Sequence, residues 1–182
     1  MYLISAYFDE NTNEILKHLQ QKIADKTGND FMIRNNVMPH LTISAIEARS
    51  VDVLIPAFEK VCRGKLQSLE EKSVANNTIN IVSGGQLFPR VIYAAPVLNE
   101  HMMNLSISIY NEFATIPETN ISKFYQPYSW MPHITLGKCL DNEQMRQAFA
   151  VLQDLFMPID GRIAKIGLST VNPYREVMSV EL

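Results

Sequence analysis

Two of the four histidines in this chain stand in almost the same seven residues: Met38-Pro39-His40-Leu41-Thr42-Ile43-Ser44 and Met131-Pro132-His133-Ile134-Thr135-Leu136-Gly137. Each string is a run of aliphatic residues behind a proline. It reads as a strand whose proline sits at the start, where a missing N–H costs least. Alternate side chains of a strand share a face. His40 and Thr42 therefore point one way, with Leu41 and Ile43 on the opposite, helix-covered face. His133 and Thr135 do likewise, with Ile134 and Leu136 buried. Each string thus presents an imidazole beside a hydroxyl.

Two such strands facing each other gather two imidazoles and two hydroxyls around one point. That set suits phosphodiester cleavage without a metal. A neutral imidazole takes a proton from the attacking water, and a protonated one gives a proton to the leaving oxygen. The hydroxyls hydrogen-bond the non-bridging oxygens, and the imidazolium adds charge stabilisation. A 2′,3′-cyclic phosphate fits as substrate, because it is strained and its leaving ribose oxygen needs a proton. Which histidine is acid and which is base stays open at this point. No Asp, Glu or Cys lies at ligand spacing from either histidine, so neither a metal nor another cofactor is expected. No nucleophile elbow supports triad chemistry. A single Pro-His-x-Thr string is explained equally well by packing. The duplicate keeps His and Thr, which packing does not require.

The elements around these strings repeat as well. Tyr2–Phe8 reads as a strand. Residues 13–26 take helical period, with Ile15, Leu16, Leu19 and Ile23 on one stripe and Gly28-Asn29-Asp30 ending it. After the first string, Val51, Leu54, Phe58 and Val61 mark a second helix. Residues 66–83 are expected as one or two strands broken at Asn76-Asn77. Ser83–Arg90 is expected as a loop, and Val91–Val97 as a strand. Leu98, Met102, Leu105, Ile109 and Phe113 then mark a helix ahead of the second string. Asp141 with Gln144 forms a capping pattern for a helix whose stripe is Met145, Phe149, Leu152 and Phe156. Residues 163–169 and 175–182 read as a hairpin around Asn172-Pro173. The two histidines are 93 residues apart, about half of the 182-residue chain. The expectation is one domain over residues 1–182 in the α+β class, with two pseudo-symmetric lobes. Each lobe would be an antiparallel sheet lining a central groove, with helices outside.

Composition narrows the partners. The chain is 47% hydrophobic and 19% charged, with net charge −3 and 16 basic residues scattered singly or in short pairs. That is not the footprint of a protein gripping a long duplex. No apolar run is long enough to cross a bilayer. The first residues carry no basic leader and no small-residue cleavage site, and the two cysteines, Cys62 and Cys139, are far apart. A cytoplasmic monomer with reduced thiols is expected.

At these residues the chain resembles the 2H phosphoesterase superfamily, in particular its 2′-5′ RNA ligase-like branch. The two His-x-Thr motifs, His40-Leu41-Thr42 and His133-Ile134-Thr135, carry the resemblance. Pro132–Lys138 and the stretch Leu87–Ala95 support it, although Tyr93 stands where many relatives carry Trp. The resemblance implies a bilobal fold with a central groove and metal-independent cyclic phosphodiesterase activity on RNA-type ends, giving a 2′-phosphate. Some relatives make or break 2′-5′ linkages. The partner expected is a short RNA end or a small nucleotide with a cyclic phosphodiester. A non-catalytic RNA-end binding module and a 2′-5′ RNA ligase are the alternatives.

Other residues are weighed beside the motifs. Phe88 could stack a base and Arg90 could contact phosphate, although the same residues suit a turn leading into a strand. Trp130, the sole tryptophan, is a base-stacking candidate, although aromatics beside a strand are more often core. Gly84-Gly85 lacks the Lys-Ser/Thr of a phosphate loop and reads as a flexible turn. Lys138, by strict alternation from His133, faces away from the histidines unless the strand bends after Gly137.

Overall fold

The computed structural model describes residues 1–71, 77–171 and 174–182. Asp9 starts the first helix. Its carboxylate accepts from the Thr12 backbone N–H at 3.0 Å, the Thr12 hydroxyl at 2.7 Å and the Arg162 N–H at 2.7 Å. That cap sets the start of α1 (Glu10–Thr27) earlier than periodicity alone suggests. Gly28, at φ 68°, closes it by donating its N–H to the Ala24 carbonyl. Strand β1 (Tyr2–Phe8) precedes α1, and the short helix α2 (Phe31–Arg34) leads from it to β2 (Leu41–Glu47). Helix α3 (Ile55–Glu71) and strand β3 (Thr78–Leu87) complete the first half.

The second half repeats the order. Strand β4 (Val91–Pro96) is followed by α4 (Glu100–Phe113), whose N-cap is Asn99, and by the two-residue strand β5 (Asn120–Ile121). Strand β6 (Ile134–Lys138), helix α5 (Asn142–Leu155) and strands β7 (Ile159–Val171) and β8 (Tyr174–Glu181) follow. The capping box expected of Asp141 and Gln144 is formed in full.

Three expectations are corrected. Residues 66–71 continue α3 and are not strand. Ser83–Leu87 belongs to β3 and is not loop, because Ser83, Gly84, Gly85, Gln86 and Leu87 each pair with a residue of β4. Ile15 and Phe149, placed on buried stripes, are 38% and 37% exposed, so both stripes are narrower than drawn. The expected break at Asn76 and the turn at Asn172-Pro173 lie outside the described residues.

The strands are antiparallel and joined in a circuit. β1 pairs β2, β2 meets β6, β6 pairs β4, β4 pairs β3, β3 pairs β7, and β7 returns to β1, with β8 on its outer edge. Exchanging β1 with β4, β2 with β6 and β3 with β7 leaves the six pairings of the circuit unchanged, while β8 and the β2–β5 pair have no counterpart. The circuit therefore carries a two-fold pseudo-symmetry, and the fold is α+β with antiparallel strands, as expected. The helices cross over between halves. α1 packs on α5 and β6, while α4 packs on α3 and β2. Gln20 of α1 donates its side-chain N–H to the Thr135 carbonyl of β6 at 3.2 Å, which ties one half to the other at a motif residue. One hydrophobic cluster draws on both halves, including Leu16, Leu41, Phe58, Ile92, Phe113 and Ile134.

Candidate active site

The pseudo-symmetry puts the two motifs at equivalent places. Pro39, Leu41, Pro132 and Ile134 are buried, while His40 and His133 are half-buried. Leu41 pairs with Ile134, and this contact joins β2 to β6. Each histidine lies one residue before that crossing, so the two imidazoles flank it. Thr42 is 8% exposed and Thr135 half-buried, each on its histidine's side of the strand.

Both imidazoles are held alike. His40 Nδ1 lies 2.7 Å from the Met38 carbonyl oxygen, and His133 Nδ1 lies 2.9 Å from that of Met131. A carbonyl only accepts, so each Nδ1 carries the proton, and each Nε2 remains for chemistry. A tyrosine ring abuts each imidazole: Tyr93 edge-on to His133 at 5.7 Å between centroids, and Tyr7 tilted against His40 at 6.1 Å.

Burial pushes the His40 imidazole below its ordinary pKa, and the charges of His133 and Lys138 push it the same way, against the bond to the Met38 carbonyl. His40 is therefore the histidine biased toward the neutral form.

Lys138 reaches this site through a β-bulge. Ile92 pairs with Gly137 and Tyr93 with Thr135, which leaves Leu136 as the extra residue on β6. The bulge shifts the alternation by one. Gly137 faces Ile92, Leu140 and Ile23 in the core, and Lys138 comes to the side of His133 and Thr135. Strict alternation had placed it on the opposite face. The bulge arises from pairing with β4, so the local string Leu136-Gly137-Lys138 offers only its glycine as a signal. Lys138 also stands 5.8 Å from the centre of the Phe31 ring.

Three further sequence candidates have settings of their own. Trp130 is 5% exposed and donates its indole N–H to the Thr42 carbonyl at 3.0 Å. Its ring is part of the core and has no face free for a base, which corrects the stacking expectation. Arg90 donates to the carbonyls of Cys139 at 2.9 Å and Leu140 at 3.4 Å, so its guanidinium fastens the end of β6. Phe88, 86% exposed, lies in the β3–β4 turn. Both residues belong to the β3–β4 turn, next to the strand position that pairs with Lys138.

Among the described residues, no three His, Cys, Asp or Glu side chains group as metal ligands, and no helix is long and apolar enough to cross a membrane. Burial pushes the Cys62 thiol up to about 11, so it stays protonated at neutral pH.

With this geometry in view, the comparisons with known proteins are specific. The family model of the 2′-5′ RNA ligase superfamily matches residues 8–172. No curated protein sequence matches the chain. Among solved structures, the chain is similar to Kluyveromyces marxianus Usb1 with uridine monophosphate, at 12% identity and a TM-score of 0.46, covering 100% of this chain and 97% of that one.

Proposed function

The chain belongs to the 2′-5′ RNA ligase superfamily of 2H phosphoesterases, and from that premise we propose that it hydrolyses 2′,3′-cyclic phosphate ends of RNA or of nucleotides by two-histidine acid–base catalysis. The observation that carries this reading is the matched pair of Nδ1–carbonyl bonds, which leaves two Nε2 atoms beside one strand crossing. The 182 residues act as a single bilobal domain, each lobe supplying one motif.

His40, biased toward neutrality, is the base. Its Nε2 takes a proton from the attacking water as the water oxygen bonds to phosphorus. His133, protonated, gives its Nε2 proton to the ribose 3′ oxygen as the P–O3′ bond breaks. The phosphate stays on the 2′ oxygen, and the two histidines end with their protonation states exchanged. Thr42 and Thr135 donate hydroxyl hydrogen bonds to the non-bridging oxygens, and the Lys138 ammonium stabilises the charge that builds there. Tethering each Nδ1–H to a carbonyl fixes the tautomer, so neither imidazole must reorganise to react.

The test is turnover of 2′,3′-cyclic nucleotides and of a short RNA with a cyclic end, in EDTA, by wild type, His40→Ala and His133→Ala. A 2′-phosphate product lost in both variants supports the reading. Near-normal turnover by either variant overturns the mechanism, and tight binding without turnover by the wild type indicates a binding module.

A further inference from the structure

We infer that Tyr93 and Tyr7 are positioning residues, each bracing one motif histidine, and that a glycine on a neighbouring strand, Gly85 of β3 or Gly167 of β7, makes room for the ring. The inference rests on the two-histidine reading above, because it assigns what holds those two imidazoles in place.

An imidazole tied only at Nδ1 can still swing about that bond, and its Nε2 swings furthest. A second contact on the ring removes that freedom. Tyr93 provides it for His133, edge-on at an interplanar angle of 65°, and Tyr7 provides it for His40 at 42°. An ordinary side chain in place of the glycine would displace the Tyr93 ring and crowd the Tyr7 ring. Gly85 pairs with Tyr93, and a Cβ on Gly85 would stand 2.6 Å from Tyr93 Cζ and collide with its hydroxyl. A Cβ on Gly167 would stand 3.0 Å from Tyr7 Cε2.

The two glycines occupy equivalent stations. Gly85 of β3 opposes Tyr93, which in turn opposes Thr135; Gly167 of β7 opposes Ser5, which in turn opposes Thr42. The tyrosines do not occupy equivalent stations, since Tyr93 matches Ser5 and Tyr7 lies two residues further on. The halves therefore reach the same arrangement, ring over glycine and against imidazole, from different positions. Simple repetition of one motif does not produce that.

The two braces differ in stiffness. The Tyr7 hydroxyl meets the Tyr174 hydroxyl at 2.6 Å, and the Lys165 ammonium sits 4.9 Å from the centre of the Tyr7 ring while paired with Glu176 at 2.9 Å. Tyr7 is thus held by Tyr174 and Lys165 as well as by its contact with His40. Tyr93 is the brace that a single methyl group on Gly85 can displace.

The experiment compares Tyr93→Ala, Tyr93→Phe and Gly85→Ala with wild type. It reads kcat and KM on a 2′,3′-cyclic nucleotide, and the His133 Cε1–H resonance by NMR. Tyr93→Ala is expected to lower kcat by on the order of ten- to a hundredfold, with KM little changed, and to shift the resonance. Tyr93→Phe restores both, since the ring and not the hydroxyl braces. Gly85→Ala, which removes nothing from the protein, reproduces the loss. Full kcat and an unmoved resonance in Tyr93→Ala would overturn the inference. So would a Tyr93→Phe variant as impaired as Tyr93→Ala, because the hydroxyl would then be the acting group. If the wild type turns over no substrate, the hydrolysis reading fails, and the NMR readings of Tyr93→Ala and Gly85→Ala still decide the brace.

Discussion

Trp130 reaches back across the strand crossing to donate its indole N–H to the carbonyl of Thr42, 3.0 Å away. The residue three before the second histidine is thereby fastened to the residue two after the first. Backbone pairing between β2 and β6 is confined to Leu41 and Ile134, so this side-chain bond is a second tie between the two motifs.

Trp130→Phe keeps most of the buried ring and removes the N–H. The Thr42 carbonyl is then buried without that donor, which costs about 1–3 kcal/mol. Denaturant unfolding should show the loss. Turnover should fall as well, since the relative placement of the two imidazoles loosens. Unchanged stability with a raised KM for RNA alone would instead return Trp130 to the role of base platform.

The pH dependence follows from the environment of His40. Burial and two neighbouring positive charges hold its pKa below the ordinary histidine value. The acid limb of kcat/KM should therefore fall below about 6.5, with activity persisting where an unperturbed histidine would already be protonated. Lys138→Met removes one of those charges, favours the imidazolium, and should move the acid limb to higher pH. A limb that stays in place in Lys138→Met would separate Lys138 from the site.

The same depressed pKa links to stability. Between the folded and unfolded pKa values of His40, the unfolded chain binds more proton, so stability rises with pH across that window. The contribution is fully present above the unfolded value, near 6.5, and is lost as pH falls toward the folded one. Urea unfolding at pH 7.5 and pH 5.5 should show a larger acid loss for wild type than for His40→Asn. Equal losses would mean that His40 titrates as an exposed residue.

Asp9 joins the start of α1 to β7, its carboxylate accepting three hydrogen bonds from two residues, Thr12 and Arg162. Burial works to raise its pKa, but the bonds from Thr12 and Arg162 outweigh it and leave the carboxyl below its ordinary value. That stabilisation is present above the unfolded carboxylate pKa and disappears as pH falls through the folded one. Asp9→Ala should cost about 1–2 kcal/mol at neutral pH. It should cost less in acid, where the wild-type carboxyl is itself protonated. A denaturation midpoint equal to wild type at pH 7 would show that the cap is redundant.

What was legible in the sequence was whatever depends on short-range period. Alternation placed His40 with Thr42 and His133 with Thr135, and spacing found the Asp141–Gln144 capping box. The duplicated string implied the two-fold circuit. What was not legible depends on which strands become neighbours. Trp130 finds its acceptor 88 residues away. Lys138 changes face because β4, and not β6 itself, imposes a bulge. Gly84 and Gly85 read as a turn because glycine usually signals one. Here Gly85 lies inside a strand to admit the Tyr93 ring.

The two histidines should behave as one catalytic unit. Each alone supplies half of a proton exchange. A base without its acid expels a poor leaving group, and an acid without its base protonates an oxygen that nothing is displacing. His40→Ala and His133→Ala should each lower kcat by ~10²–10⁴. The double variant should be little worse than the more damaged single, because neither remaining partner works alone. Single-turnover rates of the four proteins on one cyclic nucleotide give the coupling directly. Multiplicative losses in the double variant would mean that the two imidazoles act independently, as in a site where they only bind phosphate.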